Sequence, residues 1–289
     1  MGAFELPGGG FCERVSNAAV RALLYELMTT PKPGLVDRRN NGAHADMDFA
    51  LFIDSAMALA PYFKDVCALG TELGRDALWK RARVRGIEAE REMLDATRGV
   101  NTHKGAIFSL GLLCMAAGVL KAQGRALDRD ALLEACAAQA GRALEDFRVQ
   151  KEGGQETHGE RQYALNGARG ARGEAAGGFK SVRELAYPTL LSLLNQGASV
   201  NDAGAITLLH LISHVDDTNM LHRGGPQAHK EIKAGLSAFL EGRPSIEAAL
   251  DKARELDKSF IERNISPGGC ADLLAFTWLL HFLTTELFF

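Results

Sequence analysis

Asn101-Thr102-His103-Lys104-Gly105 stand where a polar turn gives way to the apolar run Ala106–Cys114, and these residue types together suit a phosphate. A helix beginning here offers unpaired backbone N–H groups and the positive end of its dipole. Lys104 and His103 add movable donors, and Asn101 and Thr102 add capping oxygens. Gly105 would let a phosphate chain approach the backbone. Taken alone, the segment describes an ordinary capped core helix equally well. Polar clusters elsewhere in the chain tilt the reading toward binding.

The first of these is Pro31-Lys32-Pro33-Gly34-Leu35-Val36-Asp37, followed by Asn41-Gly42-Ala43-His44-Ala45-Asp46-Met47-Asp48. Its carboxylates suit Mg²⁺, above all when the ion also binds substrate phosphates. The stretch Gly170-Ala171-Arg172-Gly173-Glu174-Ala175 brings glycines and Arg172 close together, without GxGxxG or a P-loop. Asp216-Asp217-Thr218-Asn219 follow an apolar helical segment. Read as the C-terminus of that helix, two carboxylates there oppose its dipole, which points to a cation or a catalytic role. His222-Arg223-Gly224-Gly225 continue from them, and Ser266-Pro267-Gly268-Gly269-Cys270-Ala271-Asp272 open the last helix with small residues. Ser266 would be its cap and Pro267 its first helical residue. Glu90 lies on a charged helix, where a solvated face is the plainer reading. His210 and His214 are spaced as zinc ligands often are, but no HExxH is present and neutral core histidines fit better.

The elements that position these residues read as helices. Leucine is roughly twice as frequent as valine and isoleucine together, and aromatics make up only 7% of the chain. We therefore expect an all-α fold, a single large multi-helix domain over 1–289 with long Gly-rich and acidic active-site loops. Residues 1–14 are expected to form a poorly ordered extension. A first helix is expected over about 15–28, stopped by Thr29-Thr30-Pro31-Lys32-Pro33-Gly34. Further helices are expected at about 49–64, 71–96, from 104 onward, 128–147, 183–195, 201–214, 226–240, 245–260 and 268–286. Residues 149–180 are expected to be long and irregular. A net charge of −3 argues against nucleic acid as a general partner. Five cysteines without a CxxC pair fit a reducing compartment. The start lacks the pattern of a signal peptide, and the most apolar run, Leu273–Leu283, is too short for a membrane span. A cytoplasmic protein without membrane partners is the expectation.

The segments TPKPGLVD (30–37), NGAHADM (41–47), GVNTHKG (99–105), ARGEA (171–175), DTN (217–219), RGG (223–225) and SPGGCADLL (266–274) occur in this order. Together they resemble the triphosphoribosyl-dephospho-CoA synthase family (CitG type), with Glu90 and Met93 at the family's spacing. The resemblance runs from about residue 18 to the C-terminus. Cys270 stands where a serine is expected, and Asp216 where glycine is common. His210 and His214 are not part of the pattern.

The resemblance implies an all-helical pentosyltransferase that joins ATP to 3′-dephospho-CoA and releases adenine. Its product, 2′-(5″-triphosphoribosyl)-3′-dephospho-CoA, would pass to a holo-acyl-carrier-protein synthase, for the prosthetic group of citrate lyase or malonate decarboxylase. Such a transfer passes through an oxocarbenium-like state that carboxylates stabilise. On this reading Asp217 is the general base, with Glu90 and Glu174 next, and His44 or His103 protonates adenine. Lys32, Lys104, Arg172 and Arg223 clamp the triphosphate. Asn101, Thr102, Gly105, Gly173, Asn219, Ser266, Gly268 and Gly269 line the substrate, and Asp46 or Asp217 holds Mg²⁺ brought with ATP. The rival readings are a Mg²⁺-dependent helical hydrolase of ADP-ribose-type N-glycosidic bonds and a non-enzymatic nucleotide- or carrier-protein-binding module.

Overall fold

Two helices of this chain are apolar on nearly every side, and the rest of the fold is built to cover them. In the computed structural model, which describes residues 9–72, 74–149 and 170–287, every regular element among the described residues is helical. In chain order these are α1 (Phe11–Met28), α2 (Phe49–Ala58), α3 (Ala60–Glu72), α4 (Arg75–Ala96), α5 (Lys104–Ala122) and α6 (Arg129–Val149). Then come α7 (Gly170–Ala176), a π-helical turn (Val182–Ala186) running into α8 (Tyr187–Asn195), and α9 (Val200–His214). The chain finishes with α10 (Thr218–Glu241), α11 (Ile246–Glu262) and α12 (Gly268–Thr285).

The wholly apolar helices are α5 and α12, which pack on each other and on α1. Helix α5 is also covered by α3 and α6, and α12 by α9. A helix without a polar face must be enclosed in this way. Helices α3 and α5 approach closely because Gly111 and Gly118 carry no Cβ. A methyl group there would collide with Tyr62 Oη and with the Cys67 carbonyl. Tyr62 Oη instead donates to the Ile107 carbonyl at 2.9 Å. Among the described residues, α5 is the one helix long and apolar enough to cross a bilayer, and most of it is buried in this core.

Several expected boundaries move. Helix α1 begins at Phe11 instead of Val15, because Phe11 and Cys12 already pack against the core. Residues 1–8 of the expected extension lie outside the described residues. The segment expected at 49–64 is two helices, broken at Leu59 just before Pro61, which has no N–H to donate. Within 149–180, Gly170–Ala176 is helical and not irregular, while 150–169 lie outside the described residues. The helix expected at 226–240 starts at Thr218 and kinks at Gly225 (φ 79°) ahead of Pro226.

The largest change concerns Asp216 and Asp217. Helix α9 ends at His214, and Asp217 is the N-cap of α10, so its carboxylate faces a positive helix end. The unfavourable dipole inferred from sequence does not exist. Asp216 pairs with Lys233 at 2.5 Å.

Candidate active site

The loop after α1 is folded by side chains that sequence reading had offered as ligands. Asp37 is buried, and its carboxylate accepts the N–H groups of Lys32 (3.0 Å), Arg39 (2.6 Å) and Asn40 (3.2 Å). Asp257 on α11, also buried, accepts from the Gly34 N–H (3.0 Å) and the Asn40 amide (2.9 Å). Asn201 on α9 brackets Thr30, accepting from its N–H at 2.9 Å and donating to its carbonyl at 2.7 Å. Gly34 adopts φ +67° where a Cβ would collide with the Ile265 carbonyl, so only glycine fits. These bonds hold Lys32 inward and leave His44 half-buried against Ser266.

Asp217 joins two helix starts. Its Oδ1 accepts the N–H groups of Asn219 (2.8 Å) and Met220 (3.1 Å), capping α10. Its Oδ2 accepts the Cys270 N–H at 2.8 Å, capping α12 from a distant part of the chain. Pro267, expected as the first helical residue, is instead the N-cap and makes no side-chain cap. Ser266 Oγ, expected as that cap, meets His44 Nε2 at 2.9 Å. Gly268 and Gly269 have a steric role here: a Cβ would stand 2.8 Å from the Asn219 amide and 2.9 Å from Asp217 Oδ2 respectively. The Cys270 thiol also hydrogen-bonds Asp217 and is buried. Burial raises the Asp217 pKa from its ordinary value despite these donors.

Next to Asp217, the start of α12 meets the start of α5. Asp272 presses against Gly105, where any Cβ would collide with its carboxylate, and the Ala106 N–H donates to it. The absence of a side chain at Gly105 is thus used by Asp272. Burial, then the nearby charges of Glu26 and Asp217, push the Asp272 pKa well above the carboxylate range. Glu26 of α1 and Lys32 form a buried ion pair at 2.5 Å, and burial outweighs Lys32 in raising Glu26. His103 is buried too. Its Nδ1 meets Ser55 Oγ at 2.7 Å, Ser55 meets Thr102 Oγ1 at 2.6 Å, and Nε2 has no partner. Burial first, and then Lys32, lower its pKa to about 3. The His103 N–H points at Met93 Sδ, 3.2 Å away, and the Phe52 ring stands edge-on to the imidazole.

Around this buried set stands a more exposed rim. Lys104 Nζ pairs with Glu90 at 2.8 Å, and the Lys104 N–H lies 3.3 Å from Asn101 Oδ1, the expected cap. Arg223 donates to the Ala43 carbonyl (2.8 Å) and Asn264 Oδ1 (3.3 Å), and lies 3.4 Å from His44 Nδ1. Burial and then Arg223 lower the His44 pKa, against a smaller opposing effect of Asp46. The sequence reading gave His44 and His103 the role of acid, yet both environments favour the neutral imidazole. Glu174 of α7 accepts from Ser181 Oγ (2.6 Å) and N–H (3.3 Å), and its charge reaches Cys270. Gly173 lies in α7, as does the backbone of Arg172, whose side chain is outside the described residues. His210 and His214 build no zinc site: His214 Nδ1 meets Ser213 Oγ at 2.7 Å.

Among the described residues no three His, Cys, Asp or Glu side chains come together as a cation cage. Asp46 stands exposed, 3.9 Å from His44, and Asp217 has both oxygens engaged by backbone N–H groups. Sequence reading missed Glu26, Ser55, Asp257 and Asp272. A signal existed for two of them. Glu26 sits on the apolar stripe of α1 beside Leu23 and Leu27, and Asp272 is the single carboxylate of an otherwise apolar helix.

The segments quoted from the sequence therefore meet at three helix N-termini, those of α5, α10 and α12, tied together by Asp217 and Asp272. A profile of the CitG family, described as ATP:dephospho-CoA triphosphoribosyl transferase, matches residues 12–287. The 2-(5″-triphosphoribosyl)-3′-dephosphocoenzyme-A synthase of Pectobacterium atrosepticum is 42% identical over 275 residues, covering 94% of this chain and 90% of its own. A Vibrio cholerae protein named probable synthase of the same type is 42% identical over 282 residues, covering 92% and 87%. The fold is similar to a crystal structure from Archaeoglobus fulgidus assigned to the same synthase type, with a TM-score of 0.54 at 20% identity, covering 80% of this chain and 98% of that one. This chain, a transferase by its relatives and all-helical by its structure, belongs to the CitG family of triphosphoribosyl-dephospho-CoA synthases.

Proposed function

We propose that the enzyme moves the 5-triphosphoribosyl group of ATP onto the 2′-hydroxyl of 3′-dephospho-CoA, with release of adenine. The observation that carries this reading is the meeting of three helix N-termini around buried carboxyls, with Lys32 inside and Lys104 and Arg223 on the rim. Helix N-termini and cations suit a triphosphate that must be held and not cleaved. Carboxylates suit the positive charge that develops at C1′ as adenine leaves.

Lys104 and Arg223, both exposed, are the clamp's movable donors, with Arg172 as a further one, and Lys32 supplies fixed positive charge beneath them. Asn101 and Thr102 shape the turn that presents Lys104. Asn219, at the start of α10, would face the ribose. Of the three carboxylates considered as base, Asp217 is buried and Glu174 is bonded to Ser181, and we assign the proton of the attacking hydroxyl to the half-exposed Glu90. Asp217 orients the two helix ends, and Glu174 supports Cys270 and the α7 turn. Neutral His103 and His44 act as hydrogen-bonding groups. Mg²⁺ would travel on the triphosphate oxygens, with exposed Asp46 as an outer partner. All five cysteines are free, which fits a cytoplasmic enzyme. The product would go to a holo-acyl-carrier-protein synthase serving citrate lyase or malonate decarboxylase.

The test is to incubate the protein with ATP, Mg²⁺ and 3′-dephospho-CoA. Expected are free adenine and a product whose mass equals dephospho-CoA plus triphosphoribose. Adenine released without that adduct would refute the transfer.

A further inference from the structure

We propose that Asp272 is the general acid that protonates the departing adenine, a role that rests on the transfer reaction proposed above. Three carboxyls share the buried centre, and two are committed elsewhere. Glu26 is paired with Lys32, and Asp217 spends both oxygens on the N–H groups that start α10 and α12. Asp272 is held by less: it has no cation partner and accepts one backbone N–H, that of Ala106 in the first turn of α5. It is pinned between Gly105 and the Ala106 N–H, where the start of α5 meets the first turn of α12, in a residue that is half-buried as a whole.

The charges around it explain why it can hold a proton. Glu26 faces it from α1 and Asp217 from the start of α10. The nearby cations are engaged: Lys32 with Glu26, and Lys104 with Glu90. His103, at the start of α5, is neutral, and Cys270 on the same turn as Asp272 is a buried thiol whose pKa is raised. Burial and the two carboxyl neighbours therefore keep Asp272 protonated to a higher pH than an ordinary aspartate, and the Ala106 N–H offsets only part of this. Neither His44 nor His103 can replace it as an imidazolium donor, since both are held neutral.

The step balances. The C1′–N9 bond of ATP breaks with its electron pair going to adenine, and the Asp272 O–H proton moves to a ring nitrogen of the base. The 2′-hydroxyl oxygen forms the new bond to C1′, and its proton passes to the Glu90 carboxylate. One proton enters adenine and one leaves the hydroxyl, so Asp272 and Glu90 are reset through solvent with no net uptake.

The experiment compares wild type with Asp272→Asn, which keeps shape but has no acidic proton. Adenine release from ATP and dephospho-CoA should fall about 100- to 1,000-fold in kcat with the KM for ATP little changed. The wild-type kcat should decline at high pH as Asp272 deprotonates, and the variant should lack that limb. ATP methylated at N7, whose base leaves without needing a proton, should restore the variant toward wild-type turnover. Retention of activity within threefold, or a fall that leaves the high-pH limb intact, overturns the assignment. Gly105→Ala tests the same point without removing the carboxyl, because the new methyl group displaces Asp272. It should lose activity and the high-pH limb together, and full activity in it would equally overturn the role. A wild type that forms no adduct from ATP and dephospho-CoA would instead refute the transfer reading.

Discussion

Replacing Asp217 with alanine removes the acceptor that starts two helices at once. Three backbone N–H groups, those of Asn219, Met220 and Cys270, lose their partner, and the bonds of Met220 and Cys270 are buried. Loss of an N-cap costs about 0.5–2 kcal/mol. A stranded buried N–H such as that of Cys270 costs about 1–3 kcal/mol more. Against this, the variant no longer buries a carboxyl that desolvation already disfavours in its charged form. The balance is a loss of about 2–4 kcal/mol. At about 2–4 °C per kcal/mol for a chain of this order of size, Tm should fall by roughly 4–16 °C. Asp217→Asn should cost less, about 1–3 kcal/mol. Its amide oxygen can still cap α10, while its NH₂ faces the Cys270 N–H and both are donors. Urea unfolding followed by circular dichroism measures both variants. An alanine variant within about 0.5 kcal/mol of wild type, below the usual cost of a lost cap, would refute the double-cap reasoning. Near wild-type turnover by Asp217→Asn would separately exclude this carboxylate as the base.

Other substitutions probe the neighbouring framework. Gly34→Ala forces a positive φ onto an L-residue and drives a methyl group into the Ile265 carbonyl, so it should destabilise by about 2–4 kcal/mol in the same unfolding assay. Lys32→Met leaves Glu26 buried without its cation and should cost about 3–5 kcal/mol. Adding Glu26→Gln should return most of that stability. Activity should not return if Lys32 also supports the triphosphate, which the KM for ATP reports. His103 gives a pH test. Its folded pKa of about 3 lies below the unfolded value, so its contribution is fully present above about pH 6.5 and declines as pH falls toward 3. The slope should be at most about 1.4 kcal/mol per pH unit. Glu26, Asp217 and Asp272 act in the opposite sense, because raised carboxyl pKa values favour the fold at low pH. The comparison is therefore wild type against His103→Gln by denaturant unfolding from pH 7 to 5, and an unchanged difference across that range would contradict a buried neutral imidazole.

The helices were legible in the sequence because apolar periodicity and the proline–glycine stops are local. Nearly every expected helix exists, and the shifted ends are those set by packing, as at Phe11, or by a cap, as at Asp217. The segments around the site were also legible, since their order along the chain identifies the family without any geometry. Misread roles came from treating local surroundings as complete. Asp217 looked like a carboxylate at the wrong end of a helix until α9 ended at His214 and α10 began at Thr218. Gly105 looked like room for phosphate until α12 brought Asp272 against it.

Composition and pattern by themselves determined an all-helical chain with two apolar core helices and polar segments of recognisable type. Only the tertiary structure decided that the starts of α5, α10 and α12 share one place, and that Asp217 and Asp272 join them. The bonds concerned link residues 55 with 103, 34 with 257 and 217 with 270. Such partners lie far apart in sequence, where periodicity carries no information about them. Burial is a property of the assembled core as well, and it is burial that holds His103 neutral and raises the pKa of Glu26, Asp217 and Asp272.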